Sequence, residues 1–363
     1  MRLFGNSISL TLFGESHGDY IGAVLDGLAP GIGIDEGFIR SQLDLRRPAG
    51  KISTPRHEAD DFRIVSGVFE GKTTGTPLTI LIPNTAQHSK DYSATRSLAR
   101  PGHADYTAFA KYHGFEDYRG GGHFSGRVTA ALVAAGAILI SALRGKGIYI
   151  GSHIKSCAGI RDRAFDDLAE DITRLNDLSF AVLDDAAGSE MRSAIEAAAA
   201  DGDSVGGVLE TAVIGMPAGV GEPWFDTVEG VISRALFSVP AVKGVQFGSA
   251  FDMADGRGSD YNDSFYISGK EIKTVSNNNA GINGGITNGM PIVFGTAVKP
   301  TPSIFKEQDT VDFIKGEDAK LSLKGRHDPA IIHRARVVVD SVTALAISDM
   351  LALRYGTDWL ASH

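Results

Sequence analysis

Cysteine is almost missing. Cys157 is the only one in 363 residues, so no disulfide can close within the chain, and a reducing, cytoplasmic setting is the expectation. Long apolar runs are missing too. No stretch of eighteen uncharged apolar residues occurs, so no membrane span is expected. No basic segment leads into a long apolar core near the N-terminus, so no signal peptide is expected either. Positive charge is not in excess: a net charge of −9 argues against a general nucleic-acid binder. Phosphate-binding fingerprints are absent. "GIGIDEG" (31–37) has the wrong spacing for a dinucleotide turn, and no GxxxxGK[ST] occurs, so a nucleotide or flavin would have to be held in another way. Ten histidines come without HxxxH or CxxC spacing, which leaves metal chemistry a remote reading.

What is present is a local excess of arginine in an acidic chain. Arg46, Arg47, Lys51, Arg56, Arg63, Arg96, Arg100, Arg119 and Arg127 crowd the first third. Any one of them is ordinarily a solvated surface charge, but together they suggest a focused anion site. Glycine is also abundant, 44 residues, and it is clustered: "YRGGGHFSG" (118–126), "GDSVGG" (202–207), "MPAGVGEP" (216–223) and "NNNAGINGGITNGMP" (277–291). Such clusters suit tight turns and loops that bring backbone close to a ligand.

Between the clusters, helix and strand signals alternate in blocks. "IDEGFIRSQLDLRRP" reads as a helix capped by Asp35 and stopped before Pro48. Residues 62–70 and 77–83 read as strands around "GKTTGT". Residues 127–143 read as a helix apolar on most sides, hence buried. Further helices are expected over 189–200, 226–237 and 338–354, with strands at "VGGVLETAVIGMP" and "AVKGVQFG". This mixture favours an α+β, layered sandwich over a purely parallel sheet. With no Pro- or Ser-rich linker and no residue-level repeat, one domain over 1–363 is the expectation.

Four short stretches concentrate the chemistry. "FGESHG" (13–18) sets an acid, a hydroxyl and an imidazole on a glycine turn after apolar alternation at Ile8, Leu10 and Leu12. "LARPGHADYTAF" (98–109) places His103 after a Pro-Gly turn at a helix start, where Arg100 and backbone N–H groups would make an anion site. "RGGGHFSGRVTA" (119–130) opens the buried helix with three glycines flanked by Arg119, His123, Ser125 and Arg127. "KGRHDPAIIHRA" (324–335) carries Asp328 among basic residues, before a proline that blocks continued helix. Each has a plainer reading: a polar turn, a packed glycine bend, or an internal ion pair for Asp328.

The first three of these motifs, then "VPAVKGV", "NNNAGINGGITNGMPI" and "KPTPSI", and last "GRHDP", occur in this order along nearly the whole chain, and the sequence resembles the chorismate synthase family. The resemblance implies a β-α-β sandwich with internal pseudo-symmetry, usually a homotetramer. It implies conversion of 5-enolpyruvylshikimate 3-phosphate to chorismate and phosphate by an anti 1,4-elimination that needs reduced FMN. By motif position it implies His17 as the acid for departing phosphate and His103 beside the flavin. Asp328, with Ser16 and Ser125, would relay the ring proton. Flavin contacts would fall at His123, Phe124, Ser125, Ala241, Gly284, Lys299, Pro300, Thr301, Pro302, Ser303 and Arg326. Substrate anions would be held by Arg46, Lys51, Arg100, Arg127 and Arg334, as a phosphate and two carboxylates require.

Two positions depart from the commoner family pattern. "GGGHFSGR" replaces "GGGRSSAR", so His123 stands for an arginine and Phe124 for a hydroxyl. Lys51 stands where arginine is common, which weakens bidentate anion recognition. The chain is near the short end for the family, so reduced flavin is expected from an external reductase. A flavin reductase consuming NADPH and a phosphometabolite-binding protein are the rival readings. NADPH loss with FMN alone would mark the first. Substrate binding indifferent to flavin oxidation state, without phosphate release, would mark the second.

Overall fold

The structure, a computed structural model, describes residues 2–3, 5–48, 50, 52–53, 59–85, 96–323 and 327–361. It is built on two five-stranded antiparallel sheets. The first uses β1 (Arg2–Leu3), β2 (Ser9–Gly14), β3 (Tyr20–Asp26), β4 (Arg63–Ser66) and β5 (Leu78–Pro83), in the order β1-β2-β3-β5-β4. The second uses β6 (Tyr149–Cys157), β7 (Ile160–Arg161), β8 (Gly207–Ile214), β9 (Val242–Phe247) and β10 (Ile292–Val298), in the order β9-β10-β8-β6-β7. Period-two burial explains them. Leu78, Ile80 and Ile82 of β5 are fully buried, as are alternate residues of β10 from Ile292 to Val298.

Seven longer helices accompany the sheets, four of which (the first, third, sixth and seventh) form the layer between them. The seven are α1 (Glu36–Arg46), α2 (Asp105–Tyr112), α3 (Thr129–Gly145), α4 (Leu168–Asn176), α5 (Asp185–Ala200), α6 (Val228–Leu236) and α7 (Ile332–Tyr355). Helix α3 packs on β3 and β5 of the first sheet, α7 packs on β6 and β8 of the second, and α3 and α7 pack on each other, flanked by α1 and α6. A β-carbon at Gly136 of α3 would stand 2.3 Å from Cβ of Ser341 on α7, so glycine is what lets the two axes approach. The stretch Gly126–Gly145 is long and apolar enough to cross a membrane, with a mean hydropathy of 1.8, yet 78% of that window is buried as the core helix.

The expected pseudo-symmetry is visible in the connectivity. β2, β3, α1, β4, β5 and α3 follow one another as β6, β8, α6, β9, β10 and α7 do, and the strand orders β2-β3-β5-β4 and β6-β8-β10-β9 match. The halves differ where β2 meets β3 and β6 meets β8: a short turn in the first, and a long connection carrying β7, α4 and α5 in the second.

Several expected boundaries shift. The strand read over 62–70 breaks at Gly67, with φ of 82°, and Val68–Phe69 turns away to pair with Lys72–Thr73. Helix α5 starts at Asp185 rather than 189, because Asp184 caps it, accepting from Ala186 N at 2.8 Å. Helix α7 starts at Ile332 rather than 338; buried His333 and Arg336 in its first turns hid its apolar face from the sequence. Asp35 caps α1 as expected, accepting from Phe38 N.

Candidate active site

The turn between β2 and β3 carries the first motif. Gly14, at φ 90°, bends the chain out of β2, and Gly18 N closes the turn on Glu15 O at 3.0 Å. Ser16 and His17 are thereby buried. Ser16 Oγ lies 3.1 Å from His17 Nδ1 and donates to Arg119 O at 3.1 Å, while Ser16 N donates to Gly122 O at 3.1 Å. The first and third motifs are thus one structure.

Gly120, Gly121 and Gly122 all have positive φ, a run that only glycine sustains without strain. Two of them face histidines. A β-carbon at Gly120 would stand 2.2 Å from His17 Cε1, and one at Gly121 would stand 3.1 Å from His103 Cε1. His123 Nδ1 donates to Gly14 O at 2.8 Å, tying the glycine turn to the end of β2. Phe124 tilts against Tyr112 with ring centroids 6.2 Å apart. Ser125 Oγ accepts from Arg127 N and starts the 3-10 turn that leads into α3.

His103 stands at the start of α2, where an anion site was expected. The anion there belongs to the chain itself. Asp105 accepts from Arg100 N at 3.0 Å and from the Arg100 guanidinium at 2.8 and 2.7 Å, and its Oδ1 lies 2.9 Å from His103 Nδ1. Burial alone would raise the Asp105 pKa, but the hydrogen bonds from Arg100 and His103 outweigh it and hold the carboxyl well below its ordinary value. Arg100 is accordingly paired and oriented. Burial, and then the charge of Arg100, push the neighbouring His327 down, so it stays neutral near pH 7.

The "KPTPS" stretch joins the same region. A β-carbon at Gly102 would meet Pro302 Cβ at 3.3 Å and Lys299 Nζ at 3.5 Å, and Lys299 Nζ donates to Gly102 O. Lys299 N donates to Ala241 O at 3.0 Å, and Ala241 itself has φ of 73°. Pro300 packs near Gly206, Thr301 O accepts from Ser204 Oγ at 2.7 Å, and Ser303 is buried. Gly284 sits in a small hairpin, Ile282–Asn283 with Ile286–Thr287, where a β-carbon would meet nothing within 4 Å. Among the described residues, no hydrogen bond joins Gly284 to this cluster.

The arginines form a second, contiguous layer. Buried Asp60 accepts from Arg46 Nη2 at 2.8 Å through one oxygen and from Arg127 Nη1 through the other. Burial would raise the Asp60 pKa, and the two guanidinium charges reverse the shift. Arg127 Nε also donates to Asn84 Oδ1 at 2.9 Å. Arg334 Nε donates to Arg46 O at 2.8 Å and its Nη1 to Asp328 at 2.6 Å. Asp328 is therefore ion-paired, in line with its plainer reading. The N-terminal ends of α3 and α7 converge here on the C-terminal end of α1, since Arg46 also reaches Gly126 O. Lys51 and Arg326 lie outside the described residues. Asp60, Asn84 and Asp105 were missed by sequence reasoning; only Asp105, inside "RPGHAD", stood in a noticed motif.

A β-α-β sandwich that collects two histidines, a glycine turn and an arginine layer at converging helix ends defines an enzyme acting on a small polyanion. The comparisons sharpen this. The family model described as chorismate synthase matches residues 8–352. Chorismate synthase of Methanosarcina mazei is 44% identical, over 98% of this chain and 97% of its own length. That of Lachnoclostridium phytofermentans is 46% identical, over 96% and 94%. A solved structure titled "Crystal Structure of Chorismate Synthase" superposes with a TM-score of 0.77 at 29% identity, covering 98% of this chain and 94% of that one. The chain belongs to the chorismate synthase family, carbon–oxygen lyases that release phosphate from 5-enolpyruvylshikimate 3-phosphate to give chorismate, and a flavin is the family's cofactor.

Proposed function

We propose that the chain carries out this anti 1,4-elimination with reduced FMN supplied by a separate reductase, acting as a homotetramer in the cytoplasm, with His17 as the acid and Asp328 as the base. The observation that carries the assignment is the packing of His17 and His103 against successive glycines of one turn, beside the arginine layer. The residues suit a flavin. Gly121 lets the backbone approach His103 and Gly102 lets it approach Lys299 and Pro302, Lys299 offers a cationic partner for an anionic ring or phosphate, and Thr301 Oγ1 is buried with no hydrogen bond among the described residues. Ser303, Ala241 and Pro300 to Pro302 would line the same side, with His123, Phe124 and Ser125 across from them. Reduced FMN, when bound, would supply electron density to the allylic system.

The chain's own residues then do the proton work. Arg46, Arg100, Arg127 and Arg334 hold the phosphate and carboxylates through charge-assisted bonds worth about 1.5–3 kcal/mol each. The phosphate C–O bond breaks with the electron pair going to oxygen, and His17 delivers the proton that neutralises it. The ring hydrogen leaves as a proton, completing the diene, and Asp328 accepts it with Ser16 and Ser125 as relays. The bond from Arg334 orients the Asp328 carboxylate. The test is anaerobic: protein, substrate and dithionite-reduced FMN are mixed and phosphate release is followed. Wild type should release phosphate only with reduced flavin. His17→Ala should lower kcat by about 10²–10⁴-fold. Turnover of His17→Ala near the wild-type rate would remove His17 from the mechanism.

A further inference from the structure

We infer that Asn84 is a positioning residue that locks the acid-bearing turn to the anion-binding arginine, an inference that rests on the roles proposed above for His17 and Arg127. Asn84 follows the end of β5, half-buried, and its side chain faces two ways. Nδ2 donates to Glu15 O at 3.0 Å and to Gly18 O at 2.8 Å, the two carbonyls at the ends of the turn that holds Ser16 and His17. Oδ1 accepts from Arg127 Nε at 2.9 Å. The backbone adds a third tie, Asn84 N to Asp19 O at 3.0 Å. The amide orientation is fixed by its neighbours. The flipped amide would set an oxygen against two carbonyls and an NH₂ against the Arg127 N–H.

One planar group therefore sets the distance between the guanidinium that holds an anion and the imidazole that protonates it. Arg127 is fixed from its other side by Asp60, whose second oxygen holds Arg46. A shift of about 1 Å between acid and leaving group costs on the order of 10² in rate. Asparagine meets both demands because it is donor and acceptor in one rigid plane. Aspartate would keep the acceptor for Arg127 but turn a second oxygen toward the Glu15 and Gly18 carbonyls.

The test compares Asn84→Asp and Asn84→Ala with wild type and His17→Ala. Substrate affinity is measured by titration with oxidised FMN present, and turnover anaerobically with reduced FMN. Asn84→Asp should keep substrate Kd within about threefold of wild type while kcat falls about 10²-fold. The kcat–pH profile should shift on its alkaline side, where a general acid loses its proton, since the turn carrying His17 is released. Asn84→Ala should lose affinity as well as kcat. Asn84→Asp is isosteric and carries the test alone if the alanine variant fails to fold. Wild-type kcat in Asn84→Asp would overturn the inference, as would equal losses in kcat and affinity with an unshifted pH profile. If His17→Ala turns over normally, the assignment of the acid fails instead, and the two failures are thereby told apart.

Discussion

Replacing Gly120 by alanine puts the active-site reading at risk in one experiment. A β-carbon there would stand 2.2 Å from His17 Cε1, 2.5 Å from Nδ1 and 2.8 Å from Ser16 Oγ. Ordinary contact begins at 3.4 Å, so the imidazole must retreat by about 1.2 Å, which is worth on the order of 10² in rate, or about 2.7 kcal/mol in barrier. The backbone adds a separate cost. At φ 59° alanine is strained by about 1–2 kcal/mol, which lowers Tm by a few degrees. Two controls separate the terms. Gly147, at φ 76° with nothing within 4 Å of its would-be β-carbon, reports backbone strain alone. Gly121, at φ 85°, approaches His103 Cε1 no closer than 3.1 Å and needs only a few tenths of an ångström of relief. All three alanine variants should lose similar Tm. Only Gly120→Ala should lose about 10² in kcat in anaerobic phosphate release at saturating reduced FMN. A kcat for Gly120→Ala within about threefold of Gly147→Ala would refute the idea that this glycine exists to seat His17.

Asp328→Asn should bind substrate and FMN while kcat falls by about 10²–10⁴-fold and the deuterium isotope effect at the ring position grows; loss of folding or flavin affinity alone would reduce Asp328 to the ion-pair partner of Arg334. His123→Ala removes the donor to Gly14 O and should cost about 1 kcal/mol of stability, measured by urea unfolding, with His123→Asn recovering part of it; an unchanged midpoint in the alanine variant would show that the bond is dispensable. Buried His153 lies 2.7 Å from Asp162 and 3.1 Å from Glu210. Burial alone would lower its pKa, but the two carboxylates raise it above the ordinary value, so its stabilisation is fully present below about pH 6.5 and is lost as pH rises through the folded-state value. The Tm gap between wild type and His153→Gln should therefore narrow as pH is raised from 6 towards 9, and a constant gap over that range would contradict the charged assignment.

The chemistry-bearing turns were legible because each is local. "GESHG", "RPGHAD" and "RGGGH" advertise themselves by glycine next to titratable groups, and the structure brings all three together. The groups that orient them were not legible. Asp60 lies 14 residues from Arg46 and 67 from Arg127, inside "EADDF", where nothing distinguishes it from a solvated acid. Asn84 follows a strand end and reads as an ordinary turn residue. Burial decides the roles of both, and burial comes from tertiary packing. The same limit explains α7, whose polar first turn looks like loop until sheet two covers it. At the start of α2 the sequence pointed to Arg100 and His103 but not to Asp105, whose carboxylate pairs with both.

The inequality between the two halves bears on how a substrate is told one way up from the other. Two matching units that meet at their helix ends would, if identical, offer a polyanion two equivalent poses related by the pseudo-axis. A carboxylate and a phosphate could then trade places, and half of all encounters would present the wrong group to the acid. The short turn from β2 to β3 places Ser16 and His17 on one side only. Its counterpart from β6 to β8 is filled by α4 and α5 and pinned by Asp162, which accepts from His153, from Leu183 N and from Asp184 N. The two halves thus differ at the very connection that carries Ser16 and His17, and the doubled scaffold loses its equivalence there.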